Sequence, residues 1–572
     1  MRTLRTLGAH SRNLLAAGLV VLAGPGLVAL ALSACASSGD ARTPRRVLQR
    51  AAPPWNHAWS RGAVFYEVFV RSFADSNGDG KGDLKGLISK LDYLNDGDPA
   101  TDADLGVTAL WLMPIFTSPS YHGYDTTDYE HINPDYGTDE DFATLCEEAH
   151  RRGMRVIVDL VINHSGSGHP WFVASASSAA SPYRSWYLWR PDNPGWLQPW
   201  NTFSGAETWH RHDPDGQYFY GVFWSGMPDL NYTNPAVREE MKRLASLWLG
   251  RGVDGFRLDA SRYLIETGPG QGQQDTPETH AYWREFAAHV RGVKPEATLV
   301  GENWADTSII ATYYGSTATA PEGDELPMSF NFPLADRILE ACRTGNTVGI
   351  ATKLEEMGRL YPHGVNDAPF LTNHDMVRLA TQLGNDAGRL RSAASILLTL
   401  PGAPFLYYGE EVGLQNGGSG GGDELKRTPM PWDATPGGGF TTGSPWFSFA
   451  PGRDTANVAI QTADPGSLLS RYRSLIHVRN ESEALRTGAI QMLTSTSGSS
   501  PLLAFLRVSA DERVLVVHNV SDGFAISQTP LVFDASGFDP LLADRFVSPP
   551  SGTSGGWTVG MPPRSTGIWR LR

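Results

Sequence analysis

The chain has 572 residues, 41% of them hydrophobic and 19% charged, which is enough apolar material for a large buried core and more than one domain. A formal net charge of -14 argues against a nucleic-acid surface, because no basic patch is dense enough to neutralise a phosphate backbone. A neutral or small ligand is therefore the expected partner.

The N-terminus has the pattern of an export signal. Arginines within the first twelve residues precede the uncharged stretch LLAAGLVVLAGPGLVALAL, which leads into LSAC. LSAC resembles the lipobox of bacterial lipoproteins, and this implies cleavage before Cys35, lipidation of its thiol and a lipid-anchored protein in the bacterial cell envelope. An ordinary signal peptide, with the protein secreted, is the alternative. Residues 1–34 are thus predicted as a lipoprotein signal peptide and residues 35–60 as a tether.

From residue 63 onwards, short apolar segments rich in β-formers alternate with amphipathic helical segments, as in a parallel sheet with crossover helices. The predicted strands begin at Ala63, Val107, Arg155, Val253, Thr298, Met328, Ala368 and Ala403. Eight such units predict an α/β fold, a (β/α)8 TIM barrel.

Two departures from this alternation predict further domains. Residues 165–229 follow the third strand, are rich in Trp, Pro, Gly and Ser, and predict an inserted domain, because barrel loops of this length are usually functional. After residue 486, alternating strands separated by Gly, Ser and Pro turns predict an all-β sandwich domain at 487–572. The barrel is then assigned to 61–164 and 230–486.

Polar residues stand at the ends of several predicted strands. The third strand ends in DLVINH, the fourth in FRLDA, the fifth in GENW and the seventh in LTNHD. Side chains at the C-terminal ends of barrel strands converge on one pocket. We therefore expect one active site that contains Asp159, His164, Arg257, Asp259, Glu302, His374 and Asp375. A single residue of this kind is more simply a cap or an ion-pair partner, but the set at matching strand ends indicates catalysis.

These motifs, in this order, resemble those of the α-amylase family of retaining glycoside hydrolases and transglycosidases. The resemblance runs from AVFYEVFVRSF to the C-terminal β domain and identifies the insertion as the family's domain B. This insertion ends in MPDLN, from Met227 to Asn231, which resembles the intermediate group between oligo-1,6-glucosidases and neopullulanases.

The resemblance implies a role for each strand-end residue. Retaining hydrolysis uses one carboxylate as nucleophile and a second carboxyl group that first donates and then accepts a proton. Asp259 matches the nucleophile, and the nearby Arg257 favours its ionised form. Glu302 matches the acid/base, whose pKa we expect neighbouring negative charge to raise. Asp375 matches a third carboxylate that binds sugar hydroxyls. The implied substrate-binding set is Tyr124 as an aromatic platform, His164, His374, Arg257 and Asp159, the last with a supporting role beside the arginine as the alternative.

The motif DSNGDGKGD predicts a structural Ca²⁺ site, because its oxygen donors alternate in a glycine-rich loop that suits a hard cation. The predicted ligands are Asp75, Asn77, Asp79, the Lys81 carbonyl and Asp83. The loop resembles an EF-hand, although Gly86 stands where an EF-hand has glutamate, and a similar stretch follows the first strand on the α-glucosidase side of the family. A metal-free, Asx-rich turn is the alternative. A second calcium between barrel and domain B is not predicted.

The sequence therefore predicts an exported hydrolase that cleaves α-1,4-glucosidic bonds of starch or maltooligosaccharides by double displacement. The alternatives are an α-glucosidase or oligo-1,6-glucosidase, a transglycosylase of the trehalose synthase type, and a non-catalytic sugar-binding scaffold. The scaffold is disfavoured because all three carboxylates are present. Tyr121 stands where α-1,6-glucosidases of the family commonly carry an aspartate, which favours an endo-acting amylase. The oligomeric state is not indicated, and membrane contact is expected only through the lipid anchor.

Overall fold

The computed structural model describes residues 54–572, except 202–204, 319, 321, 495–497, 531–534 and 554–555. The predicted signal peptide, the predicted lipidation site Cys35 and most of the predicted tether lie outside the described residues. Within the described ranges, no helix has both the length and the apolar character needed to cross a bilayer.

The described strands are β1 (Phe65–Val68), β2 (Ala109–Leu112), β3 (Phe116–Thr117), β4 (Asp128–Ile132), β5 (Arg155–Leu160), β6 (Trp189–Arg190), β7 (Trp209–Arg211), β8 (Tyr218–Tyr220), β9 (Gly255–Leu258), β10 (Thr298–Gly301), β11 (Met328–Ser329), β12 (Phe405–Tyr407), β13 (Ala489–Met492), β14 (Leu502–Val508), β15 (Arg513–Asn519), β16 (Ala525–Pro530), β17 (Phe538–Ala543), β18 (Ser551–Thr553), β19 (Gly556–Met561) and β20 (Thr566–Leu571). The described α-helices are α1 (Leu84–Ile88), α2 (Leu91–Leu94), α3 (Asp139–Arg151), α4 (Pro170–Ser177), α5 (Pro235–Gly250), α6 (Pro277–Val293), α7 (Thr307–Thr312), α8 (Phe332–Thr344), α9 (Val348–Leu360), α10 (Leu379–Gln382), α11 (Ala387–Thr399), α12 (Val458–Thr462), α13 (Leu468–Glu481) and α14 (Glu483–Thr487).

A curled parallel sheet forms the centre of the structure, with strand order β11-β10-β9-β5-β2-β1-β12. The predicted seventh strand, from Ala368, is reduced to two parallel bridges, Phe330 with Ala368 and Phe370 with Phe405, which connect β11 to β12. Pro369 lies between these bridges and has no N–H to donate to a ladder, which explains why regular pairing fails here. The circle is nevertheless closed, and the predicted (β/α)8 barrel is confirmed.

Aromatic side chains fill the barrel interior beneath the strand ends. The rings of Phe65 and Phe405 stack 4.2 Å apart, and Phe330 packs between Phe405 and Trp111. All four side chains are at most 2% exposed. Complete burial of one such side chain stabilises the fold by about 1.5–3 kcal/mol, so this layer is a rigid apolar floor for the groups above it.

Local sequence signals set the starts of the helices that surround the barrel. Asn234 accepts a hydrogen bond from the N–H of Ala236 at the start of α5, and Pro235 occupies the first helical position. Thr276 caps α6 in the same way through the N–H of Thr279. Polar caps followed by proline satisfy free N–H groups and pre-set the helical backbone, so each crossover helix starts at a defined residue.

The inserted segment after β5 leaves the barrel and returns to it at one point. His164 and Asp229 form an antiparallel bridge, and Tyr187 pairs with Leu230 just beyond it. Between these points lie α4 and a three-stranded sheet in the order β6-β8-β7. Because entry and exit are paired with each other, the insertion is held against the strand ends where the polar residues stand.

The C-terminal region forms two antiparallel sheets, one in the order β13-β14-β15-β20-β17 and one in the order β16-β19-β18. Leu506, Leu515 and Trp569 of the first sheet pack with Val559 and Met561 of the second in one buried cluster. The predicted C-terminal β domain is therefore confirmed.

Candidate active site

Arg257, on β9, connects two carboxylates at the C-terminal end of the barrel. Its side chain is fully buried, and Nη1 donates to Oδ1 of Asp259 at 2.7 Å and to Oδ1 of Asp159 at 2.8 Å. Asp159 lies directly beside Arg257 in the register of β5 with β9, so the backbone fixes this contact. Burial raises the pKa of Asp159 to about 7, although the guanidinium opposes this rise.

Glu302 follows β10 and faces the same arginine. Its Oε2 lies 2.9 Å from Nη2 of Arg257 and accepts the N–H of Ala260 at 3.2 Å. Burial is the largest cause that raises the pKa of Glu302; Asp259 adds to the rise and Arg257 opposes it. The direction agrees with the sequence-based expectation, but burial contributes more than neighbouring charge. A raised carboxyl pKa is the shift that general acid catalysis requires.

Asp375 and His374 stand after the seventh strand position and form an ionised pair. Nε2 of His374 lies 3.1 Å from Oδ2 of Asp375, and Nδ1 lies 2.5 Å from Oε1 of Glu67. Burial lowers the pKa of His374, but Asp375 and Glu67 outweigh it and raise the value to about 9. Burial also opposes ionisation of Asp375, but His374 and Arg427, whose Nη2 lies 2.8 Å away, lower its pKa. The pKa shifts of Asp375 and Glu302 thus run in opposite directions, downward for Asp375 and upward for Glu302.

A cavity of about 370 Å³ lies above these groups. Asp259, Glu302 and Asp375 all line it. Tyr124 and His164 also line it. The Tyr124 ring lies nearly parallel to the His374 ring, with an angle of 16° and centroids 5.5 Å apart. The remaining lining residues are His122, Phe223, Trp224, Met227, Trp304, Asp423 and Arg427.

Three of the predicted substrate-binding residues lie beneath the cavity and not on its wall. The side chains of Asp159, Arg257 and His374 are completely buried and are engaged in ion pairs with one another or with lining residues. Asp159 contacts Arg257, as its alternative, supporting role requires, and the roles of Asp159, Arg257 and His374 stay predictions. Of that set, Tyr124 and His164 face the cavity.

Several residues of the site were not predicted from the sequence. Glu67 is a charged residue inside the apolar strand β1, a signal that could have marked it. Trp304 stands two residues after Glu302 in GENW and is 51% exposed, as is common for ligand-facing aromatic residues. Arg427 follows a short 3-10 helix, and the surrounding sequence lacks the periodicity of a regular helix or strand. The sequence therefore does not indicate that Arg427 reaches the site.

The aromatic wall contributed by the insertion depends on one glycine. Trp224, 52% exposed, lies across Gly226 just before MPDLN. A Cβ at position 226 would lie 2.2 Å from the Trp224 ring, so any other residue there must displace the ring. Glycine is therefore required for this part of the wall.

In the loop predicted to bind calcium, the side-chain oxygens accept hydrogen bonds from the loop itself. Oδ1 of Asp75 accepts the N–H groups of Asn77 and Gly78, while Oδ2 accepts the Gly80 N–H and the Thr441 hydroxyl. Across the described residues, no three His, Cys, Asp or Glu side chains are arranged to hold a metal. The arrangement seen is the hydrogen-bonded one, in which each carboxylate oxygen of Asp75 accepts two hydrogen bonds. Calcium binding stays a prediction.

Two acidic residues meet where the insertion joins the barrel. Asp229, the acid of MPDLN, accepts the Val222 N–H through Oδ1 at 3.0 Å. Its Oδ2 and the Oε1 of Glu266 are buried without a well-formed hydrogen bond in the part of the chain described. Burial raises the pKa of Glu266 to about 8; burial, with the charge of Glu266, also raises that of Asp229. Both shifts favour the protonated forms of this pair.

A (β/α)8 barrel that presents a carboxyl group of raised pKa together with two further carboxyl groups in one cavity has the site of a glycosidase. The family described as alpha amylase, catalytic domain, matches residues 67–488. The chain is 42% identical to Alpha-amylase 3 of Dictyoglomus thermophilum over 472 residues, which cover 82% of this chain and 86% of that protein.

Two further comparisons agree. The chain is 36% identical over 516 residues to the trehalose synthase/amylase TreS of Mycobacterium tuberculosis, with 82% of this chain and 83% of that protein covered. The crystal structure of an alpha-amylase from H. orenii matches with a TM-score of 0.78 and 39% identity, over 90% of this chain and 100% of that one. The chain belongs to the α-amylase family, and it is an enzyme of the glycoside hydrolase and transglycosidase class.

Proposed function

We propose that the protein hydrolyses α-1,4-glucosidic bonds of starch or maltooligosaccharides with retention of configuration. The observation that carries this proposal is the pair Asp259 and Glu302, joined through the two terminal nitrogens of the buried Arg257 and both open to one cavity. Both members contact the same cation, and the raised pKa of Glu302 is the shift that the acid/base of double displacement requires.

In the proposed mechanism, Asp259 attacks the anomeric carbon and forms a covalent glycosyl-enzyme intermediate while Glu302 donates its proton to the leaving-group oxygen. Water then enters, Glu302 removes its proton, and the bond to Asp259 breaks, which regenerates both groups. Asp375, held ionised between His374 and Arg427, accepts hydrogen bonds from the hydroxyls of the reacting sugar. Tyr124 supplies an apolar surface beneath that sugar.

The preference for α-1,4 bonds is supported by the surroundings of Tyr121 and by the similarity to Alpha-amylase 3. Tyr121 stacks on Trp446 with centroids 5.4 Å apart and lies 5.8 Å from the Arg427 guanidinium. No carboxylate occupies position 121 to bind a terminal sugar, so an internal stretch of a glucan fits better than a chain end. Transfer to a sugar acceptor is the second candidate, favoured by the 36% identity to a trehalose synthase/amylase.

Export and calcium binding are also proposals. LSAC and the apolar stretch before it support export with a lipid anchor on Cys35 at the bacterial cell envelope, with secretion as the alternative. The alternating oxygen donors of residues 75–83 support one structural Ca²⁺ ion. The mature protein is proposed to act on an α-glucan or maltooligosaccharide outside the cytoplasm.

A product profile over time tests the proposed function. Protein lacking residues 1–34 is incubated separately with soluble starch, maltoheptaose, isomaltotriose, maltose and sucrose. Short maltooligosaccharides released early from starch, initially in the α configuration, are expected. Glucose from isomaltotriose identifies an α-1,6-glucosidase instead, and trehalose from maltose identifies a transglycosylase. If no substrate yields a product, catalysis is rejected and the non-catalytic sugar-binding scaffold becomes the favoured alternative.

A further inference from the structure

The two residues that follow Asp259 both donate hydrogen bonds to Glu302. The N–H of Ala260 donates to Oε2 of Glu302 at 3.2 Å, and the Ser261 hydroxyl lies 3.0 Å from the Glu302 carbonyl oxygen. Ala260 has a φ of 50°, in the left-handed region that residues with a side chain seldom adopt. Such a backbone conformation persists where the surrounding contacts enforce it. The proposed acid/base is therefore held at its carboxyl group and at its main chain by the segment that begins with the proposed nucleophile.

The Ser261 hydroxyl extends this contact into a chain of polar side chains. Its oxygen also lies 2.8 Å from Oδ1 of Asn303, so its single proton has two acceptors, both in the segment after β10. Nδ2 of Asn303 donates to the Ser329 hydroxyl on β11 at 3.1 Å. The side chains of Ser261, Asn303 and Ser329 are completely buried, where such hydrogen bonds are strong. The chain of contacts connects the ends of the neighbouring strands β9, β10 and β11.

Close packing on two sides leaves Ser261 little freedom to move. Trp283 of α6, which is also buried, donates from Nε1 to the Ser261 carbonyl oxygen at 2.8 Å. On the other side, a Cβ at Gly301, the last residue of β10, would lie 2.9 Å from Nδ2 of Asn303 and 3.3 Å from Oγ of Ser261. Glycine at this position makes room for the two polar side chains. The contact between Ser261 and residues 302–303 is therefore rigid.

We propose that Ser261 is a positioning residue that fixes the separation of the Asp259 and Glu302 carboxyl groups. The inference rests on the proposed function, because double displacement needs two carboxyl groups about 5–5.5 Å apart that flank one glycosidic bond. Asp259 follows β9 and Glu302 follows β10, and the Ser261 hydroxyl ties the first segment to the main chain of the second. A misplacement of about 1 Å can lower a rate about 10²-fold. Loss of this tie should therefore lower kcat and leave glucan binding largely intact.

Ser261→Ala tests the assignment, since it removes the hydroxyl and keeps nearly the same side-chain volume. With maltoheptaose, kcat is expected to fall about tenfold or more while KM changes less than about twofold. The loss in kcat should be smaller with α-maltosyl fluoride, because fluoride departs without the proton that Glu302 donates. Ser60→Ala is the matched control: it removes an equally buried hydroxyl, which precedes β1 at the opposite end of the barrel, and should leave kcat unchanged.

Crystal structures of the wild type and of the Ser261→Ala protein give a second readout that does not depend on turnover. The separation between the Asp259 and Glu302 carboxyl groups is expected to change in the variant, or Glu302 to occupy more than one position. An unchanged kcat together with an unchanged separation overturns the proposal, as does a loss of kcat that Ser60→Ala reproduces. If the wild type releases no product from either substrate, the proposed function fails, while the crystallographic comparison still decides whether Ser261 fixes the two carboxyl groups.

Discussion

Nη1 of Arg257 lies 2.7 Å from Oδ1 of Asp259, two residues further along the chain. Alternate residues of a strand project to the same face, so the sequence RLD places the cation and the carboxylate side by side. The other terminal nitrogen of Arg257 lies 2.9 Å from Glu302. One buried cation therefore links both carboxyl groups of the proposed mechanism and offsets their burial.

Replacing Arg257 by Met keeps most of the side-chain volume but removes this cation. Asp159 and Asp259 then remain buried without a counter-ion, and we expect the free energy of unfolding at neutral pH to fall by about 3–5 kcal/mol. Equilibrium unfolding in urea measures the change. Arg151→Met, which breaks an exposed pair with Glu148, is the control, for which little or no loss is expected. An equally small loss for Arg257→Met contradicts the prediction.

Asp259→Asn removes the proposed nucleophile while keeping its shape. Turnover of maltoheptaose is expected to fall at least about 10⁴-fold, the scale of loss seen when a catalytic group of this kind is removed. The melting temperature and the circular dichroism spectrum show whether the fold is intact. Turnover close to that of the wild type would contradict the assignment of Asp259 as the nucleophile.

Glu302→Gln removes the proposed acid/base and is expected to lower turnover of maltoheptaose about 10²–10⁴-fold. The loss should be smaller with α-glucosyl fluoride, because fluoride departs without a proton. Initial rates with both substrates measure the ratio. Equal losses on both substrates argue that Glu302 does not protonate the leaving group.

The strand-end residues could be predicted because barrel topology leaves little freedom at these positions. Asp159 lies near the end of β5 and Arg257 near the end of β9, while Glu302 follows β10. These are neighbouring parallel strands, and their register brings the three side chains to one edge. Their roles could be assigned because each motif matched a family pattern. The buried position of His374 could not be predicted, since it depends on Glu67 from β1, more than 300 residues away in the chain.

The cavity walls were less predictable for a physical reason. Asp423 and Arg427 lie in and just after a short 3-10 helix, Asp423–Lys426. The glycine-rich residues 417–422 precede this helix and can adopt many backbone conformations, so the sequence does not fix where the segment points. The orientation of Trp304 depends on its packing against Phe332 at the start of α8. Contacts of this kind result from tertiary packing, which a single sequence does not encode in its local pattern.

Glu67→Gln is expected to change how stability depends on pH, because it removes one of the two carboxylates that raise the pKa of His374 to about 9. A histidine with a raised pKa contributes stability that is fully present below its ordinary value of about 6.5 and is lost as pH rises through about 9. The melting temperature of the wild type should fall over this window. In the Glu67→Gln protein, part of this pH dependence disappears and the remainder shifts to lower pH. Identical profiles of melting temperature against pH for the two proteins would refute the link between Glu67 and the pKa of His374.

Glu266→Gln is expected to stabilise the protein in alkaline solution. Burial raises the pKa of Glu266 from 4.5 to about 8, so the stability contributed by its protonated form is present below 4.5 and is lost as pH rises through about 8. Glutamine has nearly the same shape and no charge to bury. The melting temperature of the variant should exceed that of the wild type above about pH 8 and approach it near pH 4.5. Glu296→Gln, an exposed position, is the control, and a variant that is less stable at high pH contradicts the prediction.

Removal of calcium is expected to lower the melting temperature if residues 75–83 bind it, because a ligand that binds only the folded state stabilises that state. The melting temperature is measured before chelation, after chelation verified by elemental analysis, and after Ca²⁺ is restored. Asp79→Asn should weaken the response, since Asp79 is exposed and its Oδ2 has one long internal contact, 3.5 Å from Nδ2 of Asn77. Asp92→Asn, at an exposed carboxylate outside the loop, should leave the response intact. An unchanged melting temperature after verified metal removal rules out a structural ion and leaves a loop held by the hydrogen bonds that its own N–H groups and Thr441 donate.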